Sequence, residues 1–178
     1  MITKAIFAGF GGQGILKMGH LIAHAAMKED KFLTYMPSYG AEVRGGTAHC
    51  TVSVGDEEIA SPIASNPDYI VIMNAPSLNR FQNILKNGGG CFLNTSIVQE
   101  KAVRKDIQMY GVAASEWAEE LGDIRSANIV MLGSFLKVSQ LVKPETFLEI
   151  VKNSFRKKDP KVFERNSEAF WKGYNFLS

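Results

Sequence analysis

The stretch AIFAGFGGQGILKMGHLIAHAA, residues 5–26, joins an apolar run to a helical repeat through a glycine-rich turn. The apolar run over residues 4–10 is typical of a strand buried on both faces, as parallel strands are. Residues 15–28 carry apolar side chains at the spacing of one helix face. The turn satisfies the pattern G-x-G-x-x-G, which lets the backbone approach a ligand closely. Helix-start N–H groups in that setting favour a phosphate or pyrophosphate.

The second predicted strand, residues 32–36, bears on which anion the glycine loop could hold. A Rossmann-type dinucleotide site would need an acidic residue about 20 positions after the loop, at the end of this strand, to bind a ribose. Here the strand is followed by Pro37 and Ser38. The missing acid argues against a nicotinamide or flavin cofactor. A purely structural role also stays open, in which the glycines only allow tight packing of strand against helix.

The rest of the chain alternates strands with helices. Residues 47–54 alternate apolar and polar side chains, which predicts a strand with one wetter face, and residues 55–58 are typical of a turn between antiparallel neighbours. Further strands are predicted at residues 69–73, 91–93 and 109–112, and helices at 76–86, 114–121, 126–141, 144–155 and 160–177. We therefore expect an α/β fold, a three-layer sandwich whose mostly parallel, mixed central sheet begins with the glycine-rich strand-loop-helix. The 178 residues, 46% hydrophobic and without a compositional break, are expected to form a single domain, 1–178.

Charge, hydropathy and cysteine content argue against several functional classes. The 20 basic and 18 acidic side chains leave a formal charge of +2 without a dense basic stripe, so a nucleic-acid partner is not expected. No stretch approaches the ~18 apolar residues of a membrane span, and the first apolar run is too short for a signal sequence, so we expect a cytoplasmic chain.

Cys50 and Cys91 cannot hold an iron–sulfur cluster alone and are expected in the core. His20 and His24 could share a metal, but ordinary helix histidines are favoured without a third ligand.

The second informative loop is SYGAEVRGG, residues 38–46. It leaves the carboxyl end of the second predicted strand and is therefore expected beside the glycine loop. Arg44 would bring a planar cation suited to phosphate, and Ser38 a hydroxyl donor. The alternative is an exposed Arg44 paired with Glu42. The sequence has no G-x-S-x-G motif, no P-loop lysine and no cysteine with a clear histidine partner, so no catalytic residues are recognisable. A predicted phosphate-binding loop without catalytic residues indicates that the chain is one part of a larger enzyme.

Taken together, the two loops resemble a known family. GFGGQGILKMGHLIAHAA, followed closely by YMPSYGAEVRGGTAHCTVSVGDEEIASP, is similar to the gamma subunit of the 2-oxoacid:ferredoxin oxidoreductases. The similarity continues through PDYIVIMN, FLNTS and ANIVMLGSFLKV, and so covers nearly the whole chain. The resemblance implies an enzyme that oxidatively decarboxylates a 2-oxoacid to an acyl-CoA, carbon dioxide and reduced ferredoxin, or runs the reverse reaction.

The resemblance also implies how the work is divided between subunits. Alpha and beta subunits would bind thiamine diphosphate, and partner chains, including a ferredoxin-like delta subunit, would hold the [4Fe-4S] clusters. The gamma chain would bind coenzyme A and help to build the assembly, with no activity of its own. SYGAEVRGG is similar to the form in gamma subunits of 2-oxoglutarate enzymes and some branched-chain ones, which favours 2-oxoglutarate and succinyl-CoA over pyruvate.

Transferred residue by residue, the resemblance assigns a coenzyme A site and neither a catalytic residue nor a metal ligand. The assigned residues are Gly11, Gly12, Gln13 and Gly14 against the pyrophosphate, Ser38, Tyr39 and Arg44 in the second loop, and Asn128 before the long helix. Asn128 is equally suited to a helix N-cap or first-turn role. Two other readings stay open: a purely structural assembly subunit without a ligand, and a self-sufficient nucleotide-dependent oxidoreductase.

Overall fold

The computed structural model describes residues 1–38, 47–100, 102–155 and 159–177, in which six strands form one sheet flanked by helices. The strands are β1 (Ile2–Phe10), β2 (Phe32–Ser38), β3 (Thr47–Gly55), β4 (Tyr69–Ile72), β5 (Gly90–Asn94) and β6 (Gln108–Val112). The helices are α1 (Ile15–Lys28), α2 (Ala75–Phe81), α3 (Ala114–Glu120), α4 (Ala127–Ser139), α5 (Pro144–Phe155) and α6 (Pro160–Phe176). Short 3-10 turns follow α2 at Gln82–Ile84 and precede α4 at Ile124–Ser126, so the helices predicted there are shorter than expected.

The sheet has the strand order β2-β3-β1-β4-β5-β6. Strands β1, β4, β5 and β6 are parallel, whereas β3 is antiparallel to both β1 and β2. Only β3 is therefore reversed, and the predicted mostly parallel, mixed sheet is confirmed. The prediction that the turn at residues 55–58 joins two antiparallel neighbours was wrong. Both antiparallel neighbours of β3 precede it in the chain, and the chain after Gly55 passes to β4 on the other side of β1.

Helices cover both faces of the sheet, which confirms the three-layer prediction. Along β1, Ala5 and Phe7 belong to the core shared with α1 and α3 to α6, whereas Ile6 and Ala8 belong to the core under α2. Because successive side chains of β1 are buried on opposite faces of the sheet, its sequence is a continuous apolar run. None of the helices in the described residues combines the length and apolar character that a membrane crossing requires.

Strand β3 differs from the half-exposed strand that its alternation predicted. Thr51 and Ser53, expected on the wetter face, are only 5% and 0% exposed. The prediction was wrong because Thr51 lies opposite Ile6 on the sheet face whose core lies under α2, so this face of β3 is covered. Cys50 and Cys91 are fully buried core residues, as predicted. Burial raises the pKa of each thiol to about 12, so both stay protonated at neutral pH.

Helices α4 and α6 pack at backbone contact distance. A Cβ placed on Gly133 would come within 3 Å of the carbonyl oxygen of Phe170, and one on Gly173 would meet the carbonyl of Val130 equally closely. Ser134 Oγ donates a hydrogen bond of 2.9 Å to the Gly173 carbonyl across the same contact. Because these neighbours are backbone atoms, a side chain at either glycine must separate the helices.

We expect Gly133→Ala to lower the free energy of unfolding by about 3 kcal/mol, because the new methyl group overlaps the Phe170 backbone. In an open helix the same change would be stabilising by up to about 1 kcal/mol, so the sign of the effect reports the contact. Urea unfolding followed by circular dichroism measures it. Ser167→Ala, at a half-buried position of α6, serves as the control and should change the value by less than about 0.5 kcal/mol. An unchanged midpoint for Gly133→Ala would contradict the close packing.

Candidate functional site

The glycine loop, residues 11–14, lies at the carboxyl edge of the sheet between β1 and α1. Gly12 and Gly14 have φ angles of +96° and +76°, a conformation that glycine adopts without strain. Gly14 is the N-cap residue of α1, so no side chain caps this helix, and its first turn contains no acidic residue. The N–H groups of a first helical turn have no partner within the helix and carry partial positive charge. With Gly11 and Gly12 exposed, the loop is chemically suited to an anion.

Gln13 holds the loop in this conformation. Its Oε1 accepts a hydrogen bond of 2.6 Å from the Phe10 N–H, and its Nε2 donates one of 3.0 Å to the carbonyl of Met73, just after β4. Gly9 makes room for this side chain, because a Cβ there would lie 2.5 Å from Gln13 Oε1. Both amide atoms of Gln13 therefore bind the protein's own backbone. The family resemblance assigned Gln13 to the ligand, whereas in the structure its side chain positions the loop.

Asn128 brings a distant helix to the loop. It is the second residue of α4, whose N-cap is Ser126, so of the two local roles that the sequence left open the first-turn position is the observed one. A Cβ placed on Gly14 would come within 3 Å of Asn128 Nδ2, which means that the amide packs directly on the glycine. Asn128 is only 6% exposed, and its side chain has no hydrogen-bond partner among the described residues. Neither of its amide atoms is among the fully buried polar atoms that lack a partner, so the amide is available to a further group or to water.

The second loop begins and ends at the same edge of the sheet. Ser38, the last residue of β2, is the cross-strand partner of His49, and Thr47, the first residue of β3, is the partner of Phe10. Thr47 therefore lies beside the end of β1, and Ser38 lies one strand further away, level with Ala8. Tyr39 and Arg44, which the family resemblance assigned to the ligand, lie outside the described residues.

The structure adds residues at this edge that sequence reasoning missed. Asn74, which follows β4, is fully buried and caps α2 by accepting a hydrogen bond of 2.9 Å from the Ser77 N–H. Asn94, at the end of β5, donates a hydrogen bond of 2.8 Å to Ser115 Oγ at the start of α3. An asparagine directly before the pair Ala-Pro is a recognisable helix-start signal, so Asn74 could have been found. The Asn94 contact spans separate segments and had no local signal.

The two helix histidines lie together on the exposed face of α1. The Nε2 atoms of His20 and His24 are 3.1 Å apart. Burial, followed by the neighbouring His24 and Lys17, lowers the pKa of His20. Within the described part of the chain, no group of three or more histidine, cysteine, aspartate or glutamate side chains is placed to hold a metal ion.

Comparison with known proteins places the site in a family. The family model described as pyruvate ferredoxin/flavodoxin oxidoreductase matches residues 4–176. The chain belongs to this family. The ketoisovalerate oxidoreductase subunit VorA of Methanothermobacter marburgensis is 36% identical over 165 residues, which cover 92% of this chain and 34% of VorA. The 2-oxoglutarate synthase subunit KorC of the same organism is 33% identical over 177 residues, covering 96% of this chain and 94% of KorC.

Solved structures agree with this family assignment. A keto/oxoacid ferredoxin oxidoreductase gamma subunit from Geobacter sulfurreducens superposes with a TM-score of 0.83 at 25% identity and covers 97% of this chain and 96% of that one. For the fold alone, the 2-oxoglutarate:ferredoxin oxidoreductase of Magnetococcus marinus gives a TM-score of 0.91 at 24% identity, covering 99% of this chain and 32% of that one.

The gamma-subunit assignment made from the two loops is thereby confirmed. The chain spans about a third of the length of the VorA relatives and nearly all of KorC. The names of these relatives and of a pyruvate synthase subunit PorC, 30% identical, specify three different 2-oxoacids. Membership of the family therefore leaves the choice between those acids open.

We expect Gln13→Ala to lower the free energy of unfolding by about 2 kcal/mol, because it leaves the Phe10 N–H and the Met73 carbonyl without their partner. Hydrogen exchange of the amides in residues 9–15 should accelerate more than exchange elsewhere. Gln99→Ala, which removes the same side chain from an exposed position, is the matched control, with a change below about 0.5 kcal/mol. Equal stability of the two variants would show that Gln13 does not hold the loop.

Proposed function

We propose that this chain binds coenzyme A and contributes to assembly in a 2-oxoacid:ferredoxin oxidoreductase, an enzyme that converts a 2-oxoacid and coenzyme A to an acyl-CoA and carbon dioxide. The observation that carries the proposal is the uncapped start of α1, with the Asn128 amide packed on Gly14 and available to a ligand. Backbone N–H groups and an amide donor suit a pyrophosphate, and no acidic side chain in the first turn opposes it. The Magnetococcus marinus structure, which has the same fold, is described with coenzyme A and succinyl-CoA bound.

In this proposal the chain acts on a part of coenzyme A that does not react. Gly11, Gly12 and Gly14 hold the pyrophosphate through backbone contacts, Gln13 keeps those N–H groups in position, and Ser38, Tyr39 and Arg44 of the second loop complete the site. Binding energy from the nucleotide end is then available to orient the thiol at a reacting carbon on another subunit. The isolated chain is expected to be inactive.

The redox cofactors belong to partner subunits in this proposal. Thiamine diphosphate, which stabilises the carbanion formed on decarboxylation, would be held by the alpha and beta subunits. The [4Fe-4S] clusters, which pass electrons to ferredoxin, would lie in partner chains such as a delta subunit. The cysteine positions of this chain support that division: Cys50 lies in the core under α1 and Cys91 in the core under α2, on opposite faces of the sheet. Two such thiols cannot ligate one cluster.

For the 2-oxoacid we propose 2-oxoglutarate, with succinyl-CoA as the product. Two observations support this choice: the form of the second loop, SYGAEVRGG, and the similarity to KorC over nearly the full length of both chains. Ketoisovalerate is the second candidate, because VorA has the higher identity, 36% against 33%.

In the assembled complex, we expect Gly12→Val to raise the KM for coenzyme A about tenfold or more while leaving the KM for the 2-oxoacid unchanged. A Cβ on Gly12 meets no heavy atom within 4 Å, so the added side chain would fill space above the loop where the ligand is proposed to lie. Gly88→Val is a closely matched control, because Gly88 also has a positive φ and open space around its Cα, yet it lies before β5 at the opposite edge of the sheet. If Gly12→Val behaved like Gly88→Val, the loop would not be the coenzyme A site.

The 2-oxoacid can be identified with the complex purified from the native cell. We expect coenzyme A-dependent reduction of ferredoxin with the highest kcat/KM for 2-oxoglutarate, compared with 2-oxoisovalerate and pyruvate. A preference for 2-oxoisovalerate would establish the second candidate. Activity of this chain without any other subunit would contradict its assignment as a non-catalytic part.

A further inference from the structure

Arg80 differs from the other arginines in the described residues. Arg104, Arg125 and Arg165 each form an ion pair with an aspartate. Arg80 is exposed on α2, and within the described ranges no carboxylate pairs with it. A guanidinium without a counter-ion is available to an external anion, and its planar fork suits a phosphate.

The surroundings of Arg80 place this cation near the carboxyl edge of the sheet. Its guanidinium carbon lies 5.2 Å from the centre of the Phe81 ring, and that ring lies 5.0 Å from the ring of His49. His49 is the cross-strand partner of both Ser38 and Ala8. It is therefore level with a point two residues short of the end of β1, and the glycine loop starts one residue further on, about 10 Å along the strand from Ala8.

Polar groups without partners are concentrated on this side of the sheet. Among the described residues, the buried side-chain atoms without a hydrogen-bond partner are Thr34 Oγ1, His49 Nδ1, Ser53 Oγ, Asn74 Nδ2 and Ser77 Oγ. The strand residues in this set share the face of Ala8, which belongs to the core under α2, and the other two belong to the N-cap and first turn of α2. Ser53 is the cross-strand partner of Lys4 and Thr34 is the partner of Ser53, so these two lie toward the amino end of β1, whereas His49, Asn74 and Ser77 lie in the carboxyl half of this face. Unsatisfied buried polar atoms are uncommon in native proteins, so these three indicate a place completed by a bound polar group or ordered water.

We propose that Arg80, with His49 beside it, binds the ribose 3′-phosphate of the coenzyme A whose pyrophosphate lies at the glycine loop. The inference rests on the proposed function. The 3′-phosphate and the 5′-diphosphate sit on the same ribose, so the proposal requires this ribose to lie over the strand ends, between the loop and the α2 face. Arg80 would pair with the phosphate, and Nε2 of the half-buried His49 ring would offer a further hydrogen bond. The pair would distinguish coenzyme A from nucleotides without a 3′-phosphate.

The test compares coenzyme A with dephospho-coenzyme A, which lacks only the 3′-phosphate, in the assembled complex. We expect Arg80→Gln to raise the KM for coenzyme A about tenfold or more and the KM for dephospho-coenzyme A less than twofold, because a charge-assisted contact to phosphate is lost only with the former. Arg80→Lys should recover part of the difference. Lys86→Gln removes one positive charge near Asp68, before the start of β4, and should affect both compounds equally and weakly.

The outcomes separate the inference from the proposed function. Equal KM values of Arg80→Gln and the wild type for coenzyme A, or an equal rise for both compounds, would overturn the 3′-phosphate assignment. The Gly12→Val variant should raise the KM for both compounds to the same extent. If that effect is present and the Arg80 effect is absent, only the further inference fails. If Gly12→Val affects neither compound, the coenzyme A site at the glycine loop fails first.

Discussion

The layer of helices over β1 depends on close contacts at three glycines, one of them between backbones and two against a neighbouring side chain. A Cβ on Gly19 would collide with Cys50 Sγ, one on Gly14 with the amide of Asn128, and one on Gly133 with the Phe170 carbonyl. These contacts join β3 to α1, α1 to α4, and α4 to α6 in turn. Because each contact fixes two elements at their shortest separation, the position of Asn128 beside the loop is set by the packing of the entire layer and not by the loop itself.

This arrangement supports the role proposed for a chain without visible catalytic residues. The glycine loop supplies N–H groups whose geometry is fixed in advance by Gln13, so binding an anion requires little ordering of the loop. Asn128 comes from a helix that is buried almost all round, and it is held as firmly as the core. In the proposed function, a rigid site of this kind would position one end of coenzyme A while the other end reacts on another subunit.

The sequence predicted the features that local patterns specify and missed those that arise between segments. The apolar run of β1, the helical spacing of α1 and the α/β layering were correctly predicted, because strand and helix periodicity are local. The turn at residues 55–58 and the wetter face of β3 were wrong, because both depend on which strands lie beside β3, a non-local property. No spacing rule connects Asn128 with Gly14, and only the family resemblance linked them. Gln13 was identified by the same resemblance, but its hydrogen bonds to Phe10 and Met73 could not be predicted, because they depend on the fold of the loop beside β4.

The chain path explains why one edge of the sheet collects so many polar groups. After β1 the chain passes through α1 to β2 on one side, whereas β4 lies on the other side of β1, and α2, which follows β4, covers the opposite face. The ends of β1 and β4 therefore form the switch point at which open α/β sheets bind ligands, and Gln13 spans it through its hydrogen bond to the Met73 carbonyl. Asn128 lies at this edge on the α1 face, and the buried Asn74 lies at it on the α2 face. In the proposed site, a ligand with two anionic groups would be held from both faces, and its uncharged remainder would extend toward a partner.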